Sequence, residues 1–304
     1  MITFTWSDGR LRPIWAFVLA ALLSCGAFVA VGFVAAMFAG DHVLRFEALF
    51  RPSLAALLLV VFSWLLTVGN QVESHRIAAQ GLPLLPGWGR QFVVGCGLGC
   101  CLVLVAVLPV AVWGHVSFHS TVNAHSMLRV LIVCIILITG SLAEELMFRG
   151  YPFQRLVEAI GSAGAITVFA IMFGLVHLSN PGSNVWGLLN TVAIGVFLSV
   201  AFLQTRALWL PWGFHFGWNA TMGLLLGLPV SGLRLFNVAV RATAGGPRWL
   251  TGGNYGIEAS ASGALAILAG LLIIWRLPLK PLPGAIAFLP PPEEQWPGLS
   301  KLSA

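Results

Sequence analysis

Glu144-Glu145-Leu146-Met147-Phe148-Arg149 places two adjacent carboxylates and a guanidinium in one of the most apolar regions of the chain, after a run from Leu128 to Gly140 dominated by Leu, Ile and Val. Ionised side chains at such depth in a membrane cost roughly 2.5–3.5 kcal/mol each, so they need partners or a task. Glu145 and Arg149 stand four apart in the favourable acid-before-base order and can neutralise one another on a helix. Glu144, about 100° further round that helix, has no obvious local partner. A lone buried carboxylate is a natural starting point for general-base chemistry.

Three more polar residues interrupt later apolar runs. His177 closes Phe173-Gly174-Leu175-Val176-His177, and His215 and Asn219 sit at i and i+4 in Phe214-His215-Phe216-Gly217-Trp218-Asn219, hence on one helix face. Each alone is often only a packing or hydrogen-bonding residue; their depths join them. If the helix bearing Glu144 runs past Arg149 to a turn at Gly161, Glu144 lies 17 residues before that turn and His177 lies 16 after it. At about 1.5 Å per residue an antiparallel hairpin sets the two side by side. A later helix starting near Arg206, on the same side as the turn, carries His215 and Asn219 towards the same depth.

A carboxylate beside a neutral imidazole can take a proton from water and direct the hydroxide at a carbonyl carbon. A second imidazole and an amide one turn away can donate to the oxygen that becomes negative. Glu144 with His177 suits the first task, and His215 with Asn219 the second. Together they describe peptide-bond hydrolysis without a covalent intermediate. The same atoms also allow a metal: Glu144, His177 and His215 form a catalytic zinc set with an open position for water. Against this, Asn is a poor zinc ligand and the histidines do not share an HExxH turn. The metal-free version is favoured, with no cofactor required and zinc as the alternative.

The elements that must hold these groups are membrane helices. Of 304 residues, 58% are hydrophobic and 9% charged, against roughly 25% charge in a soluble domain. The expected fold is therefore all-α, a polytopic membrane bundle of about eight transmembrane helices. The spans read as Ile14–Ala39, Leu54–Val68, Phe92–Trp113, Met127–Met147, Ala163–Leu178, Val185–Gln204, Leu208–Leu228 and Glu258–Trp275. The first is too long for a signal-peptide core of roughly 7–15 residues. A modest excess of Lys and Arg places the N-terminus in the cytoplasm, so the net charge of +6 reports topology and excludes a nucleic-acid partner. Residues 1–276 read as one membrane domain with its catalytic core at about 127–227, and residues 277–304 as a Pro-rich, disordered tail.

Other features read more plainly. The five cysteines lie in apolar stretches and imply no disulfide framework. Gly95 and Gly99 form a GxxxG step, the mark of close helix packing. His115 and His119 fall in what reads as a solvated polar loop, and the stretch from Pro229 to Ile257 as a Gly-rich loop.

The three motifs together resemble the CPBP family of intramembrane proteases, which includes the CAAX prenyl endopeptidases and bacteriocin-immunity proteins. Its pattern is EExxxR, FxxxH and HxxxN or HxxxD in that order, present here as Glu144-Glu145 with Arg149, Phe173 with His177, and His215 with Asn219. The resemblance covers about residues 127–227. It implies an intramembrane endopeptidase in which Glu144 and His177 activate water, His215 and Asn219 stabilise the oxyanion, and Glu145, Arg149 and Phe173 support them. The implied partners are the lipid bilayer and a membrane-associated protein or peptide substrate, with prenylated CAAX-type proteins as one class. The implied location is multi-pass in a cell membrane, the plasma or inner membrane if the source is bacterial. Two readings stand beside it: a proton-coupled transporter, since buried carboxylates and histidines also form proton relays, and a non-catalytic immunity or scaffold protein held together by its polar cluster.

Overall fold

The computed structural model describes residues 12–19, 21–22, 26, 80–120, 122, 126–234, 236–277 and 279–282. The described chain is mostly helical. In order it forms α1 (Trp88–Trp113), β1 (His115–Ser120), α2 (Ser126–Arg149), α3 (Tyr151–Val176), α4 (Val185–Thr205), α5 (Trp209–Ala220), β2 (Val240–Gly245), a single turn α6 (Arg248–Thr251) and α7 (Ala261–Arg276). Residues 13–19 are also helical; most of the first expected span, all of the second and the tail from residue 283 lie outside the described residues.

Among the described residues, three helical stretches are long and apolar enough to cross a membrane: Trp88–Trp113, Ser126–Ser179 and Val185–Thr205. The second joins α2 and α3; α2, with 24 residues, is long enough by itself for a bilayer core of about 30 Å, whereas α3 is interrupted at Gly161. Local chemistry sets several boundaries. Asn184 caps α4 by accepting from the Gly187 amide at 3.0 Å, and Ser260 caps α7 by accepting from the Gly263 amide at 2.9 Å. Arg206 ends α4 in the left-handed region at φ 52°.

The hairpin carrying Glu144 and His177 differs in detail from the expected one. Helix α2 stops at Arg149 instead of running on, because Gly150 leaves helical geometry (φ −71°, ψ −144°) and Pro152 opens the next helix. The second break does fall at Gly161, whose φ of 81° and ψ of 167° divide α3 into two arms. The expected span Leu208–Leu228 is likewise shorter as α-helix: α5 ends at Ala220 and passes into a π-helical turn, Thr221–Leu225.

The all-α expectation fails in one place. His115–Ser120 is a strand, paired antiparallel with Val240–Gly245 in a register that sets His115 opposite Gly245 and His119 opposite Arg241. His115 and His119 therefore belong to a two-stranded sheet, not to a loop; the alternation in His115-Val116-Ser117-Phe118 is the local pattern that permits it.

The GxxxG step of α1 packs as expected, and its partner is the helix bearing His215 and Asn219. A Cβ added at Gly99 would lie 2.4 Å from the Phe214 carbonyl oxygen, and one at Gly217 would lie 2.3 Å from that of Cys96. Gly95 and Gly213 meet the opposite backbone equally closely, so two small-residue steps interlock along one seam. Neither backbone can yield without moving the site. Gly217→Ala is expected to cost about 3 kcal/mol or more, seen as a lowered unfolding midpoint in detergent, whereas Gly97→Ala, with open space around it, is expected to leave the midpoint unchanged.

Candidate functional site

Helix α2 delivers Glu144 and Glu145 to opposite environments. Glu145 is fully buried. Its Oε1 accepts from Arg149 at 3.2 Å, the i to i+4 pair expected from spacing, and also from His215 Nδ1 at 2.8 Å. Arg149 is equally buried and donates onward to the Gly195 carbonyl on α4 at 3.2 Å. Its guanidinium lies over the Phe173 ring at 4.5 Å, within cation–π range. Phe173 thus occupies a central place, edge-on to Phe148 and His215 and 4.8 Å from the ring of His177.

Glu144 turns to a cavity of about 520 Å³. His177, His215 and Asn219 line the same cavity, so the four residues expected to act together come from α2, the end of α3 and α5 onto one space. Glu145 and Arg149 sit behind its wall. Oε2 of Glu144 approaches Nε2 of His215 at 3.8 Å and has no hydrogen-bond partner among the described residues.

Two tautomers follow from these partners. Nδ1 of His177 lies 2.6 Å from the Phe173 carbonyl oxygen, which can only accept. Nδ1 must therefore carry the proton, and in the neutral ring Nε2 keeps its lone pair. Nδ1 of His215 donates to the Glu145 carboxylate, and with the Glu144 carboxylate 3.8 Å from Nε2 this ring can hold a second proton there. The two rings are oriented by different anchors, a backbone carbonyl for one and a buried ion pair for the other.

The donors do not make a closed metal centre. Among the described residues, no three His, Cys, Asp or Glu side chains gather in a group able to hold an ion. Glu144, His177 and His215 share a cavity without gathering at one point.

One residue of this wall escaped the sequence reading, which had used Glu258 only to mark the start of a span. Glu258 is buried, lies in a 3-10 turn ahead of α7 and faces the cavity. Its Oε1 accepts from the Trp218 indole at 3.1 Å; its Oε2 accepts from the Ser231 hydroxyl at 3.0 Å and from the Ser231 backbone amide. Nearby, Tyr255 is buried with its hydroxyl 3.4 Å from that of Thr191; burial first, then the charge of Glu258, push its phenol up to about 12. The signal that could have found Glu258 is its isolation: it is the only acid between Glu158 and Glu293.

Searches against curated proteins and solved structures give no significant match. Residues 126–221 match the family model described as type II CAAX prenyl endopeptidase Rce1-like, a segment that begins with α2 and ends just after α5. All three motifs fall inside it, so this segment, about a third of the chain, is similar to the CAAX-type proteases, and with its long apolar helices the chain reads as an integral membrane protein.

Proposed function

We propose that this chain is an eight-span intramembrane endopeptidase that hydrolyses a peptide bond of a membrane-associated protein or peptide, prenylated CAAX-type proteins being one candidate class. The observation that carries the proposal is the common cavity of Glu144, His177, His215 and Asn219, three of them held by partners that fix or adjoin their reactive atoms.

Water enters between Glu144 and His177. Glu144 takes its proton while Nε2 of His177 accepts the second hydrogen, aiming the oxygen at the carbonyl carbon. The C–O bond forms and the carbonyl π pair moves onto oxygen. Asn219 donates its amide N–H to that oxyanion, and protonated His215 donates from Nε2 while Nδ1 stays on Glu145. The tetrahedral intermediate collapses, the C–N bond breaks, and protonated Glu144 returns its proton to the leaving amine. Products are a carboxylic acid and an amine, with every atom of the water accounted for.

The apolar wall, including Ile136, Met172, Ile194 and Phe236, makes the surroundings less polar than bulk water and so strengthens these donors. Because no side-chain nucleophile takes part, purified protein cleaving a peptide in the presence of hydroxylamine is expected to form acid only. A peptidyl hydroxamate would reveal an acyl-enzyme and contradict the mechanism. His177→Ala is expected to lower kcat by about 10²-fold or more with smaller change in KM, the pattern of a group acting in the transition state.

A further inference from the structure

A second cavity, of about 230 Å³, takes no part in the steps above. It shares a partition with the first. Val230, Ser231 and Glu258 face the first cavity, whereas their chain neighbours Pro229 and Ile257 face the second. Two contacts fasten the halves of this partition together. The Gly232 amide donates to the Tyr255 carbonyl at 2.8 Å, and the Ser231 hydroxyl donates to Glu258 at 3.0 Å. The second cavity is thus built on backbone that is already fixed, which lowers the entropy cost of binding there.

The formal charge in its lining is all of one sign. Arg234 and Arg248, from segments on either side of β2, line it together with Thr243 and Asn254, and its described lining has no Asp or Glu. Arg234 Nη1 makes one long bond, to the Ala242 carbonyl at 3.4 Å, and the Arg248 guanidinium makes none among the described residues. Two cations at one hollow repel each other, and an anion between them turns that repulsion into attraction. A planar guanidinium presents five donors in a fork that matches the oxygens of a phosphate. The volume is below the roughly 300–1,000 Å³ of sites for drug-sized ligands, so it suits a compact group.

The surroundings place this cavity at the edge of the bilayer. Val107 and Val110, near the end of the membrane-long helix α1, form part of its lining. Trp113, the last residue of α1, and Trp249, which follows Arg248, are 77% and 65% exposed. Exposed tryptophans at the end of an apolar helix mark the level of the lipid headgroups. Basic pockets at that level are suited to headgroup phosphates.

We propose that the second cavity is a phosphate-binding site, in which Arg234 and Arg248 together hold one phosphate group, carried by an anionic lipid or present as the free ion. The site does not depend on the peptidase reading.

The test is the unfolding midpoint of the full chain in non-ionic detergent, followed as phosphatidylglycerol, diacylglycerol with the same tails, or inorganic phosphate is added, the last against sodium chloride of equal ionic strength. A ligand that binds only the folded protein raises the midpoint with its concentration, which yields an apparent affinity. Arg234→Gln and Arg248→Gln are expected to weaken that affinity at least about tenfold, the loss of one charge-assisted contact. Arg241→Gln, on β2 but outside the cavity lining, is expected to match wild type. A rise with phosphatidylglycerol alone assigns the phosphate to a lipid; a rise with inorganic phosphate as well assigns the site to the ion itself. No rise in wild type, an equal rise with diacylglycerol, or the same affinity in all four proteins overturns the proposal. Both arginines are exposed, and Arg248 has no described bond to lose, so its variant decides the matter even if Arg234→Gln fails to fold. The readout is binding without turnover, so failure of the peptidase reading and failure of this site are separate results.

Discussion

Glu144→Gln is expected to lower peptide cleavage by roughly 10³-fold or more while leaving the unfolding midpoint within about one degree of wild type. The first effect follows from its place in the cavity: a carboxamide cannot take the proton from water, and positioned general bases contribute roughly 10²–10⁴-fold. The second follows from its surroundings. Glu144 is about a third exposed, and among the described residues its close approach to a titratable group is that to His215, at 3.8 Å. Gln has the same shape, and its substitution breaks no hydrogen bond at Oε2. A variant that is folded and inactive separates catalysis from scaffolding, because a merely structural polar cluster would lose stability and have no activity to lose. Rate measurements on detergent-purified protein, paired with a thermal scan, check both halves.

Arg149→Met is expected to do the reverse, acting first on the fold. The substitution leaves Glu145 fully buried with one of its two partners gone and removes the cation held over Phe173. Breaking a buried pair by deleting one member costs about 3–5 kcal/mol, because the remaining charge is uncompensated. Unfolding in detergent should show a loss of that order. The double variant Glu145→Leu with Arg149→Met is expected to regain much of the stability, since an apolar pair of similar volume is often no worse than a buried ion pair. It should stay poorly active, because His215 then has no acceptor at Nδ1 and its ring loses the anchor that aims Nε2. Stability regained together with full activity would show that the Glu145–His215 bond, 2.8 Å in the structure, does not matter for the reaction.

These two residues also show where sequence reading succeeds and where it stops. Spacing alone pairs Glu145 with Arg149, and the pair is present, because contacts at i to i+4 are properties of one helix. Spacing cannot see that Glu145 is shared with His215, 70 residues away. For that reason Glu144 looked isolated, although the ring stands beside it. Depth counting brought Glu144 and His177 to one cavity even though the hairpin breaks twice, at Gly150 and Gly161, instead of turning once. Helical rise is a robust ruler over a span; the exact exit of the chain depends on glycine conformations that composition does not fix. The GxxxG step was legible as a packing face, but its partner, Gly213 and Gly217 on the site-bearing helix, required the fold. Glu258 was missed for the same reason as the sheet. Its partners, Trp218 and Ser231, and the pairing of Ser120 with Val240, are long-range contacts made by a segment rich in glycine and poor in periodicity.

The most direct test is a comparison of protein termini in membranes of cells producing either wild type or Glu144→Gln at equal abundance. New N- and C-termini present only with wild type are the predicted result, and they would give the substrate and the cleavage rule together. Identical termini from both, with both proteins folded, would contradict the peptidase account and leave the cavity of Glu144, His177, His215 and Asn219 to proton transfer or to holding the bundle together.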